Sequence, residues 1–330
     1  MRASSSRARL ARIFSVSLAL IACATGAHAG SPREGVCGSV DYNAMILEII
    51  KGIAPGGGYS INAKTVELPT VTAHNIGAGR WEMRVYPGRP THCTGATYAV
   101  FAQLVAGLHN SGAIRLSPVQ LRSLAVIRTN PNGSARTDGQ GPFAIFNSNG
   151  AGVAALLKHT GTGFSFRDDK LAYARPGDFL KLFWNGGVGS NEQGHQTIYT
   201  GRREIGGRDM VCFWSSQRQA KKRRGRGREA LYFAAAAGED VRDGYGEVCR
   251  PRGDIKAMIF SRVTCMEHLA AGLDDMAARA VARGGTPDLF VDEYLYAIRT
   301  KPSDQATLDS TYDIVPAPSA FADSGIAPPR

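Results

Sequence analysis

The cysteines constrain this chain more than any other feature, because an odd number of them follows an export address. Residues 1–12 are basic and Ser-rich, residues 13–22 are apolar, and Ala27-His28-Ala29 fits the small-x-small site of a signal peptidase. Residues 1–29 therefore read as a secretory signal peptide and belong to targeting rather than to the fold. Leu20-Ile21-Ala22-Cys23 also reads as a bacterial lipobox, in which Cys23 would carry lipid; cleavage after Ala29 is the favoured reading. Either route takes the protein to the periplasm or the exterior of a bacterium, where disulfides persist. Cys37, Cys93, Cys212, Cys249 and Cys265 remain. They allow at most two disulfides, so at least one thiol stays free or pairs between chains. Spacing leaves the pairing open. With no CxxC or HxxxH pattern, no structural zinc site is expected, and no other metal or organic cofactor is called for.

Composition narrows the classes further. Of 330 residues, 43% are hydrophobic, too many for a wholly disordered chain. The only long apolar run, Ile13–Ala22, falls short of the ~20 residues of a spanning helix, so no transmembrane span is expected. The formal charge of +11 is concentrated in two places. Four arginines precede residue 13, and Arg218, Lys221, Lys222, Arg223, Arg224, Arg226 and Arg228 form an acid-free run; without both, the body is neutral. That run reads as a solvated loop between strands. Its functional reading is attraction to an anionic polymer, such as a wall polymer or lipopolysaccharide. It has no interleaved aromatics for base stacking, so no specific nucleic-acid partner is expected.

Periodicity predicts helices over Asp41–Lys51, Thr94–His109, Ser117 to about Ile127, Asn149–His159 and Cys265–Arg283. Strands are expected at Thr65–Val71, Trp81–Val85, Phe179–Trp184, Gln196–Thr200, Met210–Ser215 and Ile255–Val263; Leu231–Ala237 is ambiguous. Helices first and strands after point to an α+β domain with N-terminal helices packed on an antiparallel sheet. One domain is expected over residues 30–300, followed by a loosely ordered Pro/Ser/Ala-rich tail over 301–330.

Chemistry is concentrated at Pro90-Thr91-His92-Cys93-Thr94-Gly95. Cys93 opens the strongest helix, where unpaired N–H groups and the helix dipole favour thiolate and can hold an oxyanion. The small Thr94 and Gly95 leave access to the sulfur. Position and parity together make Cys93 the candidate nucleophile rather than a half-cystine. His195 follows a Gly-rich loop at the start of a strand and is the candidate base. His92, adjacent to the sulfur, reads as a supporting neighbour behind the site or a rim contact, and His74, His109, His159 and His268 as ordinary residues. A third polar group usually orients such a base; Ser215 and Gln217, at the end of the next strand, are the candidates, with no choice between them. Glu192 and Asp178 are candidate substrate contacts, though a turn explains Asp178 equally well.

Cys93-Thr94-Gly95-Ala96-Thr97, then Arg175-Pro176-Gly177-Asp178-Phe179, then Gly194-His195-Gln196-Thr197-Ile198 stand in an order that resembles the NlpC-type cell-wall peptidases and related amidases of the papain-like superfamily. The resemblance covers residues 85–217, with 255–263 as a further strand. It implies a papain-like fold, Cys93 as nucleophile, His195 as base and a polar orienting residue on the next strand. Residues 94–175 form a longer interval than the compact family pattern and must house extra helices. The implied function is an exported cysteine hydrolase that cleaves an amide bond, in a peptidoglycan peptide or a related peptide, through a thioester. The alternative is a non-catalytic envelope protein binding an anionic polymer through the same cleft or the basic run. An acyltransferase using the same pair is a third reading.

Overall fold

The computed structural model describes Cys37 and residues 40–126, 141–188, 191–217, 233–234, 243–282 and 304–324. The expected signal peptide, Cys23 and the basic run lie outside the described residues. The elements are α1 (Tyr42–Gly52), β1 (Gly56–Gly57), β2 (Thr70–Gly77), β3 (Arg80–Tyr86), α2 (Cys93–Asn110), α3 (Pro118–Ser123), α4 (Gly141–Phe146) and α5 (Val153–Thr160). There follow β4 (Gly163–Arg167), β5 (Phe179–Phe183), β6 (Gly194–Ile205), β7 (Arg208–Gln217), β8 (Phe233–Ala234), β9 (Gly244–Pro251) and β10 (Ala257–Val263). The chain ends in α6 (Leu269–Ala282), α7 (Gln305–Thr311), β11 (Val315–Pro316) and α8 (Ala317–Ser324). This is a mixed α+β architecture.

Among the described residues one large sheet runs β1-β9-β7-β6-β5-β10-β4-β11, with β8 beside β9, and β2 and β3 form a separate hairpin. The sheet is not wholly antiparallel as expected, because β11 lies parallel to β4. The expected strand at Thr65–Val71 begins only at Thr70, where pairing with Tyr86 starts. The helix opened by Ser117 stops at Ser123, well short of Ile127, although Ser117 and Gln120 form the full capping box. β4, β9 and α4 were not expected.

Strand β5 explains why the sheet needs cover on both sides. Its residues Phe-Leu-Lys-Leu-Phe are all buried, as in a strand enclosed on two faces. Phe179 and Phe183 join Ile198, Trp214 and Ile259 in a core shared with α1, α2, α4 and α5. Leu180 and Leu182 join Tyr199, Phe213 and Phe260 in a second core, which Ala317, Ala320 and Phe321 of α8 close. Phe321 sits edge-on to Phe166 at 5.3 Å between ring centroids. Residues 304–324, expected to be a loose tail, are thus folded: α7 buries Leu308, and Arg167 grips Asp309 through two hydrogen bonds of 2.7 Å.

The periodicity of α2 predicts an amphipathic helix. It is buried on nearly every side, including the expected Tyr98, Phe101, Ala102, Val105 and Leu108, because β3, β6, β7, α1 and α4 all pack against it. Two disulfides, Cys37–Cys265 and Cys212–Cys249, staple the fold, and the latter joins directly opposed residues of β7 and β9. Among the described residues Cys93 is the free cysteine, in keeping with the odd count. Among the described residues no helix is long and apolar enough to cross a membrane.

Candidate active site

The site grows from the start of α2. The chain enters through Thr91, whose carbonyl accepts from Ser216 Oγ at 2.9 Å, so the end of β7 holds the helix N-terminus against the sheet. His92 is the N-cap, its Nδ1 accepting from the Gly95 N–H at 3.1 Å. That bond places the proton of a neutral His92 ring on Nε2. Ordinary N-caps are Ser, Thr, Asp or Asn, so an imidazole here caps the helix and also faces the neighbouring sulfur. His92 therefore supports the site from behind, the first of the two expected alternatives, and its ring centroid lies 6.4 Å from that of Phe143 in α4.

Cys93 is the first residue of α2 and is half-buried. The first backbone bond of the helix runs from the Ala96 N–H to the His92 carbonyl, and Gly95 is taken by the His92 ring. Cys93 and Thr94, as the first residues of α2, have no intrahelical acceptor for their N–H groups. Gly95 is small for packing rather than for access to sulfur: a Cβ there would stand 2.3 Å from Thr91 Oγ1.

Electrostatics act on Cys93 in opposition. Burial pushes the thiol up, but the adjacent His195 charge and hydrogen bond pull it down, and His92 adds to that pull. The net result lies well below the ordinary thiol value. The structure thus brings together Cys93 and His195, which stand 102 positions apart in sequence. His195 is half-buried at the start of β6, paired across β5 with Leu182, and its ring meets Phe213 edge-on at 5.9 Å.

The two candidate orienting residues have different settings. Ser215 is fully buried and donates its hydroxyl to the Gln196 carbonyl at 2.9 Å. Gln217 donates through Nε2 to the Gly246 carbonyl at 3.0 Å. The β6–β7 register aligns Ile198 with Trp214; continued along the strands, it sets Gln217 across from His195.

Asp178 and Glu192 are not exposed substrate contacts. Asp178 is fully buried, receives Arg262 through two bonds of 2.8 and 2.7 Å, and also accepts from Asn43 and the Arg175 N–H. The preceding Gly177 has φ +96°, and a Cβ there would strike the Asn43 carbonyl at 2.5 Å. The Pro-Gly-Asp segment is therefore a pin between α1 and β10. Glu192 is ion-paired with Lys181 at 2.5 Å and accepts from the Gly150 N–H at 2.6 Å. Three residues before His195, it ties the loop that delivers the imidazole to β5 and to the turn ahead of α5.

One polar residue escaped the sequence reading. Gln196, next to His195, is 3% exposed, and neither atom of its carboxamide has a hydrogen-bond partner among the described residues. An orphaned buried amide costs about 1–3 kcal/mol. Its one signal was a polar side chain at the head of an apolar strand. Compared with known proteins, the chain matches no family model, no curated protein and no solved structure.

Proposed function

We propose that this chain is an exported cysteine hydrolase that cleaves an amide bond of a peptide, with a peptidoglycan peptide as the first substrate class, on a papain-like fold. The observation that carries the reading is the free thiol of Cys93, held well below the usual thiol range by His195 and His92, on the first residue of an 18-residue helix. Its order of nucleophile helix, Pro-Gly-Asp strand and Gly-His strand is the order of the NlpC-type peptidases.

In the proposed mechanism His195 takes the Cys93 proton, giving a thiolate–imidazolium pair. The sulfur attacks the amide carbonyl carbon, and the oxygen gains the electron pair of the carbonyl π bond. The N–H groups of Cys93 and Thr94 at the start of α2 are the proposed donors to that developing charge, a role worth several kcal/mol in acyl transfer. The C–N bond then breaks, the amine leaves with the His195 proton, and a thioester remains. His195 next removes a proton from water, and hydroxide attack returns the thiol and a carboxylic acid. Gln217, opposite His195 with Nε2 already engaged, is the better placed of the two orienting candidates, its carbonyl oxygen being suited to accept an imidazole N–H. His92 supports the thiolate and caps the helix.

The test is incubation of the mature protein with purified wall peptides, with mass analysis of products and of the enzyme. The expected result is a new amine and carboxylate, with a covalent adduct on Cys93 from an electrophilic substrate analogue. Adduct formation with transfer to an added amine in place of water would make the protein an acyltransferase. Neither product nor adduct, with Cys93 titrating as an ordinary thiol, would overturn the enzyme reading and leave an envelope binding protein.

A further inference from the structure

We infer that Cys37, Cys265 and His268 form, once their disulfide is reduced, a binding site for a thiophilic metal ion of the Zn2+ type. The site lies apart from Cys93 and does not depend on the proposed hydrolase. Sγ of both cysteines and a ring nitrogen of His268 lie within 4.8 Å of one another. Cys37 Sγ and His268 Nε2 are 3.6 Å apart. A tetrahedral zinc with Zn–S about 2.3 Å and Zn–N about 2.0–2.1 Å sets its sulfur and nitrogen ligands about 3.5 Å apart. One edge of the coordination polyhedron is therefore already in place.

The histidine is prepared in the manner of a metal ligand. Its Nδ1 donates to the Gly161 carbonyl at 3.1 Å, which leaves the Nε2 lone pair directed at the sulfur. Such a carbonyl partner on the distal nitrogen is the usual support of a zinc-bound imidazole. Cys265 and His268 stand at C-x-x-H spacing around the 3-10 turn Met266–His268, a short chelate that a search for CxxC and HxxxH passes over. The turn is held rigidly. Thr264 and Cys265 donate their N–H groups to the Thr162 carbonyl, and Tyr42 Oη accepts from Met266 and donates to Glu267. Glu267 is thereby occupied elsewhere. Cys37 and His268 are exposed while Cys265 is buried, so a metal would enter from solvent and keep a fourth, open position.

The chemistry balances with a dithiol reductant. Its two thiols give two electrons and two protons to the disulfide, yielding the Cys37 and Cys265 thiols and the reductant's own disulfide. The metal then displaces both thiol protons as the sulfurs separate to about 3.8 Å around it. Disulfide and metal are mutually exclusive occupants of one corner.

The test uses the mature protein carrying Cys93→Ser, reduced by excess dithiol without oxygen, desalted and titrated with Cd2+. The expected result is a thiolate-to-metal charge-transfer band that saturates at one equivalent and is lost in Cys37→Ser and in Cys265→Ser. His268→Gln should bind at least tenfold more weakly, and a Cys212→Ser/Cys249→Ser background should bind as before. Absence of the band in a reduced protein that stays folded overturns the inference, as does binding that survives Cys37→Ser. If reduction unfolds the chain, the readout becomes circular dichroism during Zn2+ addition. Refolding at one equivalent, absent in Cys37→Ser, supports the site; no refolding overturns it.

Discussion

Among the described residues two cysteine–histidine contacts have opposite outcomes. Cys93 lies against His195 and His92 as a free thiol on the first turn of α2. Cys37 lies 3.6 Å from His268 but is bonded to Cys265. An imidazole beside sulfur is common to both, so it does not by itself make a nucleophile. What differs is the third neighbour. Cys93 has no second thiol and stands among helix-start N–H groups that lack an intrahelical acceptor, whereas Cys37 has a second thiol and a chelating turn. The same pairing thus leaves a free thiol held below its ordinary range where the sulfur is unclaimed, and a disulfide where another sulfur reaches it first.

Five variants would break or sharpen that contrast. Cys93→Ala should abolish turnover of a peptide amide, by about 10^4-fold or more, while Cys37→Ser/Cys265→Ser retains it; product release by the Cys93 variant would move the chemistry to another group. His195→Ala should slow iodoacetamide alkylation of Cys93 near neutral pH by about 10–100-fold, since the thiolate loses its main partner. The sign follows from the depressed thiol: in the parent protein reactivity climbs at acid pH and levels early, and the variant's midpoint should rise toward the ~8.5 of a free thiol. His268→Ala should leave that profile in place, and a shift there would erase the distinction between the two corners. Loss of the Cys37–Cys265 bridge should cost about 2–5 kcal/mol in urea unfolding with no change in the Cys93 midpoint. His92→Ala should be mildest, about 1 kcal/mol from the lost cap, with a smaller upward movement of the Cys93 midpoint than His195→Ala.

Local pattern carried much of this. Helix α2, the strands on either side of His195 and the parity of the cysteines are properties of short segments or of counts, and all were legible. The export context was read from a stretch outside the described residues. Pairwise features were not legible. Asp178 meets Arg262 from 84 positions away, so its turn chemistry was visible and its burial was not. Strand β9, Gly-rich at its start, is a strand because β7 pairs with it along eight residues. Residues 304–324 look like a polar tail until Leu180 and Phe260 require a cover, which Phe321 supplies. His268 seemed ordinary because its significance rests on Cys37, 231 positions away.

The Cys212–Cys249 bridge has a topological consequence. Together with the backbone it closes a covalent ring, and every basic residue from Arg218 to Arg228 belongs to that ring. A trypsin-like protease that severs any peptide bond there opens the ring without dividing the molecule. The severed chain would run as one species on a non-reducing gel and as two after reduction. The segment densest in Lys and Arg can thus be cut while both halves remain covalently joined between β7 and β9.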